Sequence, residues 1–146
     1  MAKRILVPLD EAVQAESMVE AIGALARSEG ATVRLLHVAP STDNIVDEDG
    51  HVIAYSDQET ARLEAEGLDY LHAASVALEG VSVECAVRFG DPVARIVEDA
   101  EDWGADLIAM TTRGRNRVGR ALLGSVAEQV FRKASTAVML FRRARE

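Results

Sequence analysis

Short apolar runs alternate along the chain with longer stretches in which apolar side chains recur every three or four positions, and glycine or proline stands at most of the joints. Residues 5–9 form an apolar run stopped by Asp10, the mark of a buried first strand. Over residues 13–29, Ala15, Met18, Val19, Ile22, Leu25 and Ala26 share one helical face, and Gly30 stands where such a helix ends. Residues 32–39 predict a second strand, closed by Pro40. Residues 40–55 are rich in Asp, Glu, Asn and Ser and predict a long acidic loop. No frame in it supplies the ligand spacing of a calcium-binding EF hand. Residues 56–79 predict a helix with Ala61, Ala65, Leu68, Leu71, Ser75 and Leu78 on its apolar face, ended by Gly80.

The second half repeats the rhythm. Val81, Val83, Cys85, Val87 and Phe89 alternate with more polar positions, which predicts a third strand with the Cys85 thiol turned to the core and unreactive. Asp91 and Pro92 signal a helix start, since Asp accepts free amide hydrogens of the first turn and Pro fits the first helical position. Val93, Ile96, Val97, Ala100 and Trp103 form its stripe, and Gly104 ends it. Residues 105–112 carry Leu107, Ile108, Ala109 and Met110, apolar toward both faces, as in a strand covered by helices on both sides. A helix over residues 125–133 and a strand over residues 136–141 complete the chain. This alternation predicts an α/β fold: one doubly wound, five-stranded parallel sheet with helices on both faces. Ligands in such sheets bind beyond the carboxyl ends of the strands, where the winding reverses. That directs attention to Leu9 and Asp10, to Val38 and Ala39, to Gly90 and Asp91, and to residues 111–125.

Composition sharpens the picture. A chain of 146 residues, 49% hydrophobic and 27% charged, matches one folded domain spanning residues 1–146. No apolar run approaches the ~20 residues that cross a bilayer, and the run after Lys3 and Arg4 is too short for a signal-peptide core. A cytoplasmic address, with no membrane partner, is the expectation. One cysteine excludes an internal disulfide, and His51 and His72 lack neighbours at metal-ligand spacing, so no metal site of the protein's own is expected. The net charge of −8 speaks against nucleic acid as a partner. The average conceals an asymmetry: residues 1–110 hold seven Lys and Arg against 22 Asp and Glu, whereas residues 111–146 hold nine against two.

The basic segment is where the chemistry lies. Residues 111–125 read TTRGRNRVGRALLGS, three glycines and four arginines leading into a helix. Glycine lets backbone amides turn toward a ligand, and the helix start adds free amides and the positive end of its dipole, so phosphate is the group this cradle favours. Gly119 to Ser125 keeps the spacing of a P-loop but lacks its lysine, and the Gly-x-Gly-x-x-Gly dinucleotide pattern is absent after the first strand. Ser125 and Glu128 also have the spacing of a helix capping box.

The segment MTTRGRNRVGRALLGSVAEQVFRKASTAVMLF resembles the end of universal stress proteins, whose nucleotide-binding members carry Gly, two residues, Gly, nine residues, Gly, then Ser or Thr. Gly114, the nine residues 115–123, Gly124 and Ser125 match in order and spacing, and ILVPLD, LLHVAP and GDPVARIVEDAEDWGADLIAM are similar to that family too. The resemblance implies a Rossmann-like sheet of the adenine nucleotide alpha hydrolase type. It implies that Pro8, Leu9 and Asp10 lie against ribose and adenine and that the backbone at Val38 contacts adenine. Gly114, Gly124, Ser125 and Val126 would hold phosphates, with Met110, Thr111, Arg113 and Arg115 completing the site. Thr111 stands at the family's first glycine, near the ribose, and Arg113 where His is frequent.

The expected ligand is an adenine nucleotide, ATP or AMP, with Mg²⁺ arriving on it where it is ATP. The expected output is regulatory, in the stress response, and not catalytic: the P-loop lysine is missing, and Asp10 and His37 are the sole titratable candidates for a general base nearby. His37, inside a strand, reads as a packed structural residue. A homodimer through residues 136–141 is expected, because that strand is apolar on both faces and, in the order the family implies, lies at a sheet edge. The alternative is a dimeric interaction protein of the same fold that does not bind nucleotide, with Thr111 as the discriminating residue.

Overall fold

The computed structural model describes residues 2–10, 15–41, 45–46, 48–54, 56–111 and 125–142. Strands β1 (Arg4–Pro8), β2 (Thr32–Ala39), β5 (Ser82–Phe89), β6 (Leu107–Thr111) and β7 (Ala137–Phe141) form one parallel sheet in the order β5-β2-β1-β6-β7. Each sequence-derived strand is present, with ends displaced by two residues or fewer. The chain builds outward from β1 to β2 and β5, then returns to the other side of β1 for β6 and β7. The winding therefore reverses between β1 and β6.

Helix α1 (Glu16–Glu29) and helix α2 (Ser56–Ala74) pack on one face, and α3 (Pro92–Trp103) with α4 (Ser125–Lys133) on the other. Period-two alternation along β1 and β2 explains the division. Ile5, Val7, Val33 and Leu35 meet Met18, Val19, Ile22 and Leu71, while Leu6 and Leu36 meet Val93, Ile96 and Val130 across the sheet. Burial of each such aliphatic side chain contributes roughly 1.5–3 kcal/mol. Cys85 is half-buried beside the α1/α2 core, and burial raises its thiol above the ordinary value, which keeps it protonated and slow to react.

Two regions depart from the sequence-based expectation. The acidic loop contains a ribbon of antiparallel strands, β3 (Ile45–Val46) and β4 (Val52–Ala54), turned at Asp49 and Gly50 with Gly50 at φ 84°. The signal was an Asp-Gly pair flanked by apolar residues, a hairpin pattern that acidic composition obscured. The second helix is also shorter than expected, giving way after Ala74 to a 3-10 turn over Ser75–Leu78. Of its expected apolar face, Leu71 and Leu78 are buried and Leu68 half-buried, whereas Ala61 and Ala65 are exposed and Gly67, outside that face, is buried. A Cβ on Gly67 would stand 2.9 Å from Val87 Cγ2 and 3.1 Å from His37 Cδ2, so glycine permits the close approach of α2 to the sheet.

Candidate functional site

At the carboxyl end of the sheet, the pairing is uneven. β1 follows β2 through Pro8, and Leu9 continues the ladder by donating its N–H to the Leu36 carbonyl at 2.8 Å. Between β1 and β6 the paired positions are Ile5 with Leu107 and Leu6 with Ile108; among the described residues no pair follows them. This pairing stops short of the ends of both strands, at the place where the winding reverses and where sheets of this kind take ligands in a crevice.

Six of the sequence-derived residues stand at or next to the carboxyl ends of β1, β2 and β6. Pro8 is half-buried at the end of β1, Leu9 is buried, and Asp10 is exposed just beyond. Val38 is half-buried near the end of β2, on the neighbouring strand. Met110 is buried and Thr111 half-buried at the end of β6. Ser125 opens α4, and the half-buried Val126 packs against the α3/α4 core. Arg113, Gly114, Arg115 and Gly124 lie outside the described residues. So does the Ser125 side chain on which the capping box depends, and the Glu128 carboxylate accepts a hydrogen bond from Arg132 Nη2 at 2.7 Å.

The Leu9 side chain is buried in the α1/α2 core, whereas Met110 is buried in the α3/α4 core with Val38 packed against it, so these side chains lie on opposite faces of the sheet.

His37 occupies a place the sequence did not disclose. A carbonyl oxygen only accepts, so the 3.1 Å contact between His37 Nδ1 and the Leu9 carbonyl fixes the proton on Nδ1. The Tyr70 ring meets the imidazole edge-on, with centroids 5.9 Å apart and planes at 69°. No local motif signals this bond, because its partners are 28 residues apart.

A polar network on the α3 face also escaped the sequence reading. The Arg34 guanidinium donates from Nε and Nη2 to both oxygens of the buried Asp99, at 2.8 and 3.2 Å, and from Nη1 to Glu84 at 3.0 Å. The hydrogen bond to Asp99 raises Arg34 above its ordinary value and keeps it charged. Arg88 reaches Asp99 as well, and Trp103 lies beneath the Arg34 guanidinium at 5.9 Å. A cavity of about 210 Å³ opens beside this network, with three arginines balanced by three acids around it. Equal charges and an ion pair already closed on itself make this a brace between β2 and α3 and not an anion site.

Among the described residues no cluster of three or more His, Cys, Asp or Glu can hold a metal ion, and no helix is long and apolar enough to cross a membrane.

An open parallel sheet wound both ways from β1 defines a doubly wound α/β protein. The chain belongs to the universal stress protein family, which residues 1–142 match. It is 30% identical to a universal stress protein of Thermus aquaticus, over 97% of this chain and all of that one. Among solved structures it is similar to protein MJ0577 of Methanocaldococcus jannaschii, at 29% identity and TM-score 0.79, covering 99% of this chain and 98% of that one. It is also similar to a universal stress protein from Archaeoglobus fulgidus in complex with dAMP, at 25% identity and TM-score 0.67, covering 94% and 96%.

Proposed function

We propose that the protein binds an adenine nucleotide in the crevice between β1 and β6 and acts as a regulatory protein of the stress response, not as an enzyme. The observation that carries this reading is the reversal of winding between β1 and β6, whose pairing ends at Leu6 and Ile108, with Pro8, Leu9, Asp10, Val38, Met110 and Thr111 at the strand ends there. The relative solved with dAMP supports an adenine ligand. ATP with Mg²⁺ is the form assigned here. Its phosphates would meet the amides of Gly114, Gly124, Ser125 and Val126 and the charges of Arg113 and Arg115, since glycine spacing and a helix start suit an anion. A β-branched Thr111 at the mouth favours the second reading, a dimeric interaction protein without nucleotide.

Thermal unfolding separates the two. At ligand one hundred times its dissociation constant, binding adds ~2.7 kcal/mol, a melting shift of roughly 5–10 °C. That shift at millimolar ATP with Mg²⁺, lost in Gly124→Val, is the expected result. A wild-type shift below about a degree selects the nucleotide-free reading.

The dimer reading rests on β7, which pairs on one side with β6 and ends the sheet there. Ala137 and Met139 are exposed along it, and Phe131 on the adjoining α4 is 57% exposed. Pairing of β7 with its copy would cover this apolar edge in a closed twofold. Light scattering should give twice 15.7 kDa, and a monomer mass would refute it.

A further inference from the structure

We infer that His37 is a positioning residue for the nucleotide site: it fixes the Leu9–Asp10 peptide at the mouth of the crevice, and does so before any ligand arrives. The inference rests on the nucleotide reading for its functional half and on geometry for the rest. Leu9 is tied at both ends of its backbone to β2, by its N–H to Leu36 at 2.8 Å and by its carbonyl to His37 Nδ1 at 3.1 Å. The peptide that carries the Leu9 carbonyl also carries the Asp10 amide, so the imidazole sets the direction in which Asp10 leaves the strand.

The ring itself is held from the α2 side. Tyr70 abuts it edge-on, and the bare backbone at Gly67 lies so close that an added Cβ would come within 3.1 Å of His37 Cδ2. A ring clamped by a helix, with its Nδ1 proton directed at a strand-end carbonyl, is a fixed donor. Preorganisation of this kind removes the ordering cost that a free loop would impose on binding. A histidine present only to fill space would need no such bond, and an apolar side chain would serve it as well.

Two substitutions and a control test the assignment. His37→Asn can place an amide N–H where Nδ1–H stands, His37→Leu fills the space without a donor, and Leu78→Ala weakens the same core without reaching Leu9. Amide exchange by NMR on the ligand-free protein, and ATP–Mg²⁺ titration by calorimetry, are run on all three. Loss of one hydrogen bond should speed exchange at the Leu9 amide about tenfold and weaken ATP about tenfold in His37→Leu, with His37→Asn close to wild type. Leu78→Ala should lower the melting temperature and leave both readouts unchanged. The inference is overturned if His37→Leu matches wild type or Leu78→Ala at the Leu9 amide, or if His37→Asn fails to rescue. Absence of ATP binding by wild type would reject the nucleotide reading alone, because the exchange data still decide whether His37 fixes the peptide.

Discussion

The ends of β5 and β1 both reach the carboxyl side of the sheet, yet they are finished by different means. After β5 the chain runs directly into α3: Asp91 Oδ2 accepts from the Ala94 amide at 2.9 Å, Pro92 occupies the first position of α3, and the Gly90 amide is taken by the Ala39 carbonyl. The helix start is capped by its own neighbours, and the strand end leans on β2 through Ala39. After β1 the first helical flank is Ala15, which has no side chain able to cap α1. Leu9 also leans on β2, through the Leu36 carbonyl, but there a β2 side chain, His37, meets its own carbonyl as well. Both strand ends thus rest on β2; the one after β5 runs directly into a capped helix, whereas the one after β1 is held by a side chain from β2 next to the exposed Asp10.

The largest expected effect comes from forcing α2 away from His37. Gly67→Val inserts a branched side chain where Val87 and His37 already stand, and overpacking of this kind costs about 1–3 kcal/mol. Urea unfolding should show that loss, with faster exchange at the Leu9 amide and no change at Ala94. Equal disturbance of both amides would erase the distinction between the junctions.

Asp91→Ala is the converse. Loss of the cap should cost about 1 kcal/mol of stability and leave ATP affinity where it was. Reduced affinity with the protein fully folded would make the β5 junction part of the site.

The smallest effect concerns the opposite end of β1, where Asp106 Oδ2 accepts from the Lys3 and Arg4 amides at 2.8 and 2.9 Å. Those two bonds hold its carboxyl below the usual 3.8. A carboxyl depressed by folding contributes stability above the unfolded value and loses that contribution as pH falls through the folded one. Asp106→Asn should therefore flatten the loss of stability below pH 3.8, a small change because the group is exposed. Identical acid limbs for variant and wild type would remove Asp106 as an anchor of β1.

The same contrast explains what the sequence disclosed. The α3 start was legible because Asp91 and Pro92 act on their own neighbours, and the sheet was legible because burial on both faces leaves unbroken apolar runs such as Leu107 to Met110. Strand order came from the family resemblance. The Arg34–Asp99 pair and the His37–Leu9 bond were not legible, since each joins residues that periodicity treats separately and the sheet alone brings together. The strand ends near Leu9, Val38 and Thr111 were legible from chain alternation, whereas the contacts of His37 depend on the approach of α2 at Gly67, a position the apolar pattern passed over.

Amide chemical-shift mapping of the wild-type protein with ATP and Mg²⁺ tests the central claim most directly. The account predicts changes centred on Leu9, Asp10, Val38, Met110 and Thr111 and on the glycines that follow, with Asp91 and Ala94 still. A titration to millimolar ATP that moves none of these, or that centres on Asp91 and Ala94, would contradict it.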